Sequence, residues 1–483
     1  MRPKLELLDA ELVGRVLDEA FLLLRDHGVL VQAPEAIDLL AGAGARIDGE
    51  VAHLDEALIQ RALDSAPSGF TLHDRAGRPQ VRYGGDEVHF DPGSSGVHVL
   101  DPETLEHVPA TTRELVRIAK VAEMLPQLDA QSTAVVCDEI PKEIGDLWRL
   151  YVVLSLSAKP VVTGAFSVAT LQHMIEMLAA FAGGRDALAE RPQAVFDVCP
   201  SPPLIWSAFG ARNLIELARA RVPAEMVSMP LAGAAAPVTL LGAVVQHAAE
   251  CLSGIAIHQL AEPGAPIVWG GAPAIFDMRK GTTPMGAIET AMIDASYAQV
   301  GTSLGLPTHT YLGASDAKVV DAQAGLESGM TALVGALAGV NMISGAGMLD
   351  FLACQSAEKL VVDAEAIAMV RRLLDGVQPQ TDTLALELFE GIAFKGEFLK
   401  QRATKELFPL EQHLPSKVID RDSVRGWRQT GALDTWGRAR ERTRELLEAY
   451  EVPAHDPAAV AELRGIVERL AKEAGLQELP ELV

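Results

Sequence analysis

The feature that most constrains this chain is a series of eight short apolar runs separated by stretches of helical periodicity. The runs are Ser132 to Cys137, Pro160 to Ala165, Ala194 to Cys199, Ala224 to Met229, Pro266 to Gly270, Thr308 to Leu312, Val340 to Ser344 and Leu360 to Asp363. Each is long enough for one strand. They are continuous rather than alternating, the pattern of parallel strands covered on both faces. Between them, Ser167 to Phe181, Ala208 to Ala220, Leu241 to Leu260 and Ile288 to Leu304 carry apolar residues at helical spacing. Eight β/α units over roughly 250 residues predict a closed (β/α)8 barrel of the α/β class. A doubly wound open sheet is the alternative arrangement. The eighth unit is the weakest, because only about fifteen residues separate it from the seventh.

The barrel is placed at residues 126–380, between a mixed α/β extension at 1–125 and a helical extension at 381–483. In the first, Leu12, Val13, Val16, Leu17, Ala20 and Leu24 line one helix face that stops at Gly28. Thr111 or Thr112 caps a later helix, with Glu114 in its first turn. In the last, Arg442 to Tyr450 and Pro457 to Ala474 read as amphipathic helices packed on the barrel.

Charge narrows the function. Asp plus Glu number 65 against 41 Lys plus Arg, a formal net charge of -24. Such a surface repels phosphate backbones and anionic lipid, so neither nucleic acid nor a membrane is an expected partner. Cys137, Cys199, Cys251 and Cys354 have no metal-ligand spacing and read as small buried side chains in a reducing compartment. No signal segment and no apolar run of membrane-spanning length is visible, so a cytoplasmic location is expected. A small-molecule enzyme fits these limits.

Catalytic groups of such barrels sit beyond the strand C-termini. Trp206, Trp269, Phe276, Tyr311 and Phe351 all map to that rim, although aromatic residues make up only 5% of the chain. Aromatic faces with few basic neighbours suit a cation that cannot donate hydrogen bonds, such as a quaternary ammonium. His309 lies on a strand end, and Asp316, Lys318 and Asp321 follow shortly after it. His247 and His258, on an apolar helix, read as core histidines. Gly270-Gly271 and Ser344-Gly345-Ala346-Gly347 match no phosphate-binding fingerprint and read as points of close backbone approach. With no HExxH and no paired-histidine spacing, a bound metal is not expected, and a hydrolase triad has little support.

Two stretches go further. Gly313-Ala314-Ser315-Asp316-Ala317-Lys318-Val319-Val320-Asp321-Ala322-Gln323-Ala324-Gly325-Leu326-Glu327 resembles a signature of the trimethylamine methyltransferase family. So does Pro230-Leu231-Ala232-Gly233-Ala234-Ala235-Ala236-Pro237-Val238-Thr239-Leu240, followed by Gln246 and Glu250. Similarity is also visible in Val97 to Thr112 and in Glu358 to Asp363, and it runs from near Leu12 to about Tyr450. The chain resembles the non-pyrrolysine branch, because it carries only standard residues. Phe398 to Leu407 lacks the His-Thr expected there.

The resemblance implies a (β/α)8 barrel that moves a methyl group from a quaternary amine, glycine betaine or a related betaine, to the Co(I) of a separate corrinoid protein. The chain has no Asp-x-His-x-x-Gly corrinoid motif, so the cofactor is expected on that partner rather than bound tightly here. On this reading Trp206, Trp269, Phe276 and Tyr311 form an ammonium cage, with Phe351 and Phe90 as further substrate contacts. His309, Asp316 and Lys318 orient the substrate, Lys318 as carboxylate partner, and Glu250 and Glu327 complete the catalytic candidates. A homo-oligomer is expected. Two readings stay open beside it: a catalytically silent protein that binds betaine-like cations, and a lyase using Lys318 as a Schiff-base amine.

Overall fold

Parallel strands buried on both faces need helices outside and packed side chains inside, and the chain supplies both in strict alternation. The structure, a computed structural model, describes residues 2–392, 394 and 396–482. Its centre is an eight-stranded parallel barrel of β1 (His89–Pro92), β2 (Gln131–Ser132), β3 (Val161–Gly164), β4 (Ala194–Val198), β5 (Ala224–Met226), β6 (Ile267–Val268), β7 (His309–Thr310) and β8 (Met342–Ala346). Helices α1 (Thr112–Met124), α2 (Gly145–Leu156), α3 (Val168–Ala182), α4 (Ala208–Ala220), α5 (Leu240–Ala261), α6 (Ile288–Ser303), α7 (Ala322–Leu337) and α8 (Ala357–Leu374) follow the strands in order. Strands β2 to β6 pair continuously, as do β7, β8 and β1. A bridge between Trp269 and Thr308 joins β6 to β7. Beside β2, the Asp129 N–H donates to the Phe90 carbonyl of β1 across 2.8 Å, closing the circle.

One strand differs from the sequence reading. The run Leu360 to Asp363, expected as the eighth strand, lies inside α8. Leu360, Val361, Ala364 and Ile367 are all buried, at the spacing of one helix face. A four-residue apolar run does not distinguish that face from a strand. The missing strand is β1, whose sequence His89-Phe90-Asp91-Pro92 is too polar to stand out as an apolar run. The barrel therefore begins well before residue 126.

The N-terminal end of the barrel is plugged from below. A hairpin of Phe70–His73 and Pro79–Tyr83 inserts Leu72, Val81 and Tyr83 against Val162, Val195, Val268 and Met342. Outside, helices Ala10–Leu22, Pro34–Gly42 and Glu56–Ser65 pack on α5, aided by a small sheet that pairs Val29–Val31 with Ile205–Trp206. This second layer explains why α5 is apolar all round. Its length and composition would suit a membrane span, but 78% of that stretch is buried within the fold. Thr111 and Glu114 form a reciprocal capping box at the start of α1. At the other end of the chain, Thr435–Ala449 packs on α1 and α8, and Pro457–Glu473 on α2 and α3.

Candidate active site

Period-two alternation sorts the strand residues between core and barrel interior. Phe90, Phe196 and Ile343 face the surrounding helices and belong to the outer core. Their neighbours Asp91, Asp197 and Ser344 point inward, as do Glu225 of β5 and His309 of β7. Above the apolar plug the barrel thus holds a layer of polar side chains, and they are bonded to one another. The Tyr83 hydroxyl donates to Glu225 Oε2 across 3.3 Å. His309 Nδ1 lies 3.1 Å from Glu225 Oε1, and its Nε2 lies 3.0 Å from the Ser344 hydroxyl oxygen. Ser344 donates its own proton to Asp91. In the next layer up, the Tyr311 hydroxyl donates to Asp197 Oδ2 across 2.7 Å and lies 3.1 Å from Ser94 Oγ.

Protonation follows from this geometry. Because the Ser344 proton is committed to Asp91, the proton on His309 sits on Nε2 and Nδ1 is a bare acceptor. Burial holds the His309 pKa down to about 3, so the ring stays neutral. Burial first, and then the charges of Asp197 and Asp91, push Glu225 well above the usual carboxylate range. Asp91 is raised in the same direction, chiefly by burial. Asp197 rises to about 6, again through burial, opposed by the Tyr311 hydrogen bond. Three acids thus share one enclosure, and a cation among them would favour their ionised forms.

A guanidinium faces this cluster. Arg149 extends from α2 and is fully buried. Its Nη1 donates to Ser95 Oγ at 3.0 Å and to the Thr133 carbonyl at 3.1 Å. Its plane lies 4.6 Å from the centre of the Phe166 ring. Burial lowers its pKa to about 10, which leaves it charged. Around the mouth, Phe166, Met229, Val238 and Met278 expose apolar surface just beyond the ends of β3, β5 and β6. Cys199, expected to be buried with the other cysteines, is instead exposed at the end of β4. Desolvation pushes its thiol up to about 12.

Of the residues singled out from the sequence, His309 and Tyr311 lie in this interior, their rings 4.9 Å apart. Phe276 is half-buried on the wall, its N–H donating to the Ala232 carbonyl. Four others form a strap over one side of the rim. Asp316 accepts from the Met285 and Gly286 amides at 2.8 and 3.0 Å. Glu327 accepts from Ser315 Oγ at 2.6 Å and from the Asp316 amide at 2.8 Å. Lys318 pairs with Asp350 at 3.0 Å, and its ammonium lies 3.9 Å from the centre of the Phe351 ring. The loops after β6, β7 and β8 are tied together in this way, and the Lys318 charge is already matched.

The remaining candidates lie behind the wall. Trp269 follows the inward Val268, so it turns outward, donates to the Tyr297 carbonyl at 3.0 Å and packs on Gly301 of α6. Trp206 belongs to the outer sheet and donates to Ser253 of α5 at 2.9 Å. The four aromatics expected as one cage therefore face different neighbours. Phe90 sits on the outer face of β1, with Arg371 of α8 lying 5.8 Å over its ring. Glu250 accepts from the Leu204 amide, Ser228 and Gln246 at 3.0, 2.6 and 3.0 Å, bracing the loop after β4 against α5. His247 and His258 are core residues, both fully buried. Close backbone approach explains two of the glycines: a Cβ on Gly270 would lie 2.5 Å from the Met226 carbonyl oxygen, and one on Gly345 would lie 2.3 Å from that of Leu312.

Asp91, Asp197, Glu225 and Arg149 were not singled out from the sequence, and Ser344 was read only as part of a glycine-rich strand end. The signal was present in two of them, Asp197 and Glu225: a carboxylate inside an otherwise apolar strand must face a barrel interior, because the outer face is core. Among the described residues, no group of three or more His, Cys, Asp or Glu side chains is arranged to hold a metal ion.

Comparison with known proteins agrees with this architecture. The trimethylamine methyltransferase (MTTB) family model matches residues 1–475. A trimethylamine methyltransferase of Desulfitobacterium hafniense (strain DSM 10664 / DCB-2) is 32% identical over 451 residues, 93% of this chain and 90% of its own length. A glycine betaine methyltransferase of Desulfitobacterium hafniense (strain Y51) is 29% identical over 475 residues, 98% of both chains. Among solved structures, the Methanosarcina barkeri monomethylamine methyltransferase aligns with a TM-score of 0.51 at 12% identity, covering 91% of this chain and 88% of that one, a likeness of fold.

Proposed function

The chain belongs to the trimethylamine methyltransferase family, whose enzymes act on methylated amines, and from that premise we propose that its donor is a quaternary amine, glycine betaine or a related betaine. The acceptor is the Co(I) of a corrinoid carried by a separate cytoplasmic protein. One observation carries this reading: two buried carboxyls, Asp91 and Glu225, converge with the half-buried Asp197 inside the barrel, below the ends of its strands.

The chemistry suits the site. A quaternary ammonium offers no proton and no lone pair, so hydrogen bonds do not select it; charge and shape do. The acid cluster supplies the charge. When the methyl group passes to cobalt, the C–N bond breaks and its electron pair returns to nitrogen, leaving a neutral tertiary amine. No proton moves to or from the substrate, which agrees with a neutral His309 held by Ser344. Attraction between the acids and the cation weakens as that charge disappears, which favours release of the demethylated product. The task of the protein is to bind the donor, turn one methyl toward the mouth and exclude water.

The apolar rim of Phe166, Met229, Val238 and Met278 supports docking of a protein that presents a flat macrocycle over the mouth. A second exposed apolar face supports self-association. Ile288 and Met292 of α6, Leu326 and Met330 of α7, and Met369 and Leu373 of α8 are all exposed on neighbouring helices. Sedimentation of the wild type against a Leu326→Glu, Met330→Glu variant tests that surface, with loss of the larger species expected.

Spectroscopy tests the function. The protein is mixed with reduced cob(I)alamin and, one at a time, glycine betaine, proline betaine, carnitine, choline and trimethylamine. Replacement of the cob(I)alamin spectrum by that of methylcobalamin with a betaine supports the reading. Binding of betaines without turnover, even with a cognate corrinoid protein, would leave a silent binder instead.

A further inference from the structure

The Arg149 guanidinium is fully buried, yet only one of its three nitrogens is engaged. Its Nε and Nη2 have no hydrogen-bond partner among the described residues. Leaving buried donors of a charged group unmade is costly, so such a group is rare unless something else completes it. The free pair is not arbitrary. Nε–H and Nη2–H lie along one edge of the guanidinium and point in parallel, the edge that receives a carboxylate in a two-point contact. The opposite side is fixed, with Nη1 held by Ser95 and Thr133 and the plane held against Phe166. The group is thus positioned before any ligand arrives.

Nearby acids do not fill that edge. Asp146, three residues back on α2, accepts instead from the Phe166 amide and from Thr170 Oγ1, each at 2.5 Å. Asp197 accepts from Tyr311, and its second oxygen is itself without a partner. Ser94 and Ser95 are adjacent in the loop after β1, one on Tyr311 and the other on Arg149, so the two groups border the same recess. The recess therefore offers one unsatisfied cation edge beside unsatisfied carboxyl oxygens.

We propose that Arg149 is the anion receptor of the donor site, taking the carboxylate of a zwitterionic donor on its Nε–Nη2 edge while Asp197 and Glu225 face the ammonium. This deepens the betaine reading and rests on it. It moves the carboxylate contact from Lys318, which Asp350 already neutralises, to a residue on α2. It also defines the donor class: quaternary amines with a carboxylate close to nitrogen, in preference to trimethylamine or choline. Two-point attachment fixes the ammonium in rotation, so that one methyl group is consistently presented.

The test compares kcat/KM for glycine betaine and for choline, with a corrinoid acceptor, in the wild type and in Arg149→Gln, Arg149→Lys and Phe166→Ala. The wild type favours glycine betaine. Arg149→Gln lowers the betaine-to-choline ratio by roughly 10²-fold, mainly through KM, the scale of a charge-assisted two-point contact. Arg149→Lys keeps an intermediate ratio, because a point charge replaces the fork. Phe166→Ala removes only the brace of an exposed ring and lowers the ratio several-fold, which keeps the test available if Arg149→Gln does not fold. An unchanged ratio in folded Arg149→Gln, or in Phe166→Ala and Arg149→Lys together, overturns the proposal. So does a wild type that uses choline or trimethylamine as readily as a betaine, which would leave the amine methyltransferase reading intact. Turnover of no methylated amine at all overturns that parent reading and this inference with it.

Discussion

Tyr311 and Asp197 join across the barrel axis, the phenolic hydroxyl donating to Asp197 Oδ2 at 2.7 Å. The bond favours the ionised carboxylate and so opposes the burial that raises Asp197 to about 6. Tyr311→Phe removes the donor and keeps the ring. The Asp197 pKa is then expected to rise further, and the pH at which a quaternary amine binds half-maximally moves upward with it. Calorimetric affinities from pH 5 to 8 read that midpoint; a midpoint that stays put in the variant contradicts the coupling.

Ligand-induced stabilisation carries a sign of its own. A carboxyl raised from about 3.9 unfolded to about 6 folded contributes stability below the lower value, and that stability is lost as pH rises through about 6. A bound cation reverses this by favouring the ionised form. The rise in melting temperature at saturating donor is therefore expected to be larger at pH 7.5 than at pH 5. An equal or smaller rise at the higher pH would mean that the acids do not face the ammonium.

Seven of the eight strands were legible because parallel strands packed on both faces read as plain apolar runs. The exception has a physical cause on each side. Leu360, Val361 and Ala364 form a helix face so short of polar breaks that it imitates a strand, whereas β1 carries His89, Asp91 and Pro92. What disguised β1 is what the interior needs from it, since Asp91 is part of the acid cluster. A strand that supplies site chemistry is the one least recognisable by apolarity.

Trp269 shows the same limit at the site. Its place at a strand end suggested an aromatic cage, but alternation after Val268 turns it into the helix layer, fully buried against α6. Trp269→Ala is expected to cost about 3–5 kcal/mol of stability, as large-to-small core substitutions do. Donor affinity in the fraction that folds should stay near that of the wild type. Chemical denaturation and calorimetry on the same preparation separate the two; lost affinity at unchanged stability would return Trp269 to the site.

The candidate site was half visible. His309 and Tyr311 announced themselves as polar and aromatic residues at a strand end, whereas Asp197 and Glu225 were each absorbed into the apolar run that contains them. Arg149 was passed over because long charged side chains ordinarily reach solvent, although the helix that carries it is apolar and buried on nearly all sides. Only the tertiary structure shows that α2 turns this residue inward, between the ends of β1, β2 and β3.

The central claim is that buried carboxyls in the barrel hold the ammonium of the donor. Its most direct test is calorimetric titration of glycine betaine into the wild type and into an Asp197→Asn, Glu225→Gln double variant. Both replacements match the shape of the protonated acids, so the fold should persist, as near-ultraviolet circular dichroism will report. The account predicts that affinity falls by roughly 10²-fold or more, the scale of two lost close charge contacts in a shielded site. Equal affinity in the wild type and the folded double variant would contradict it.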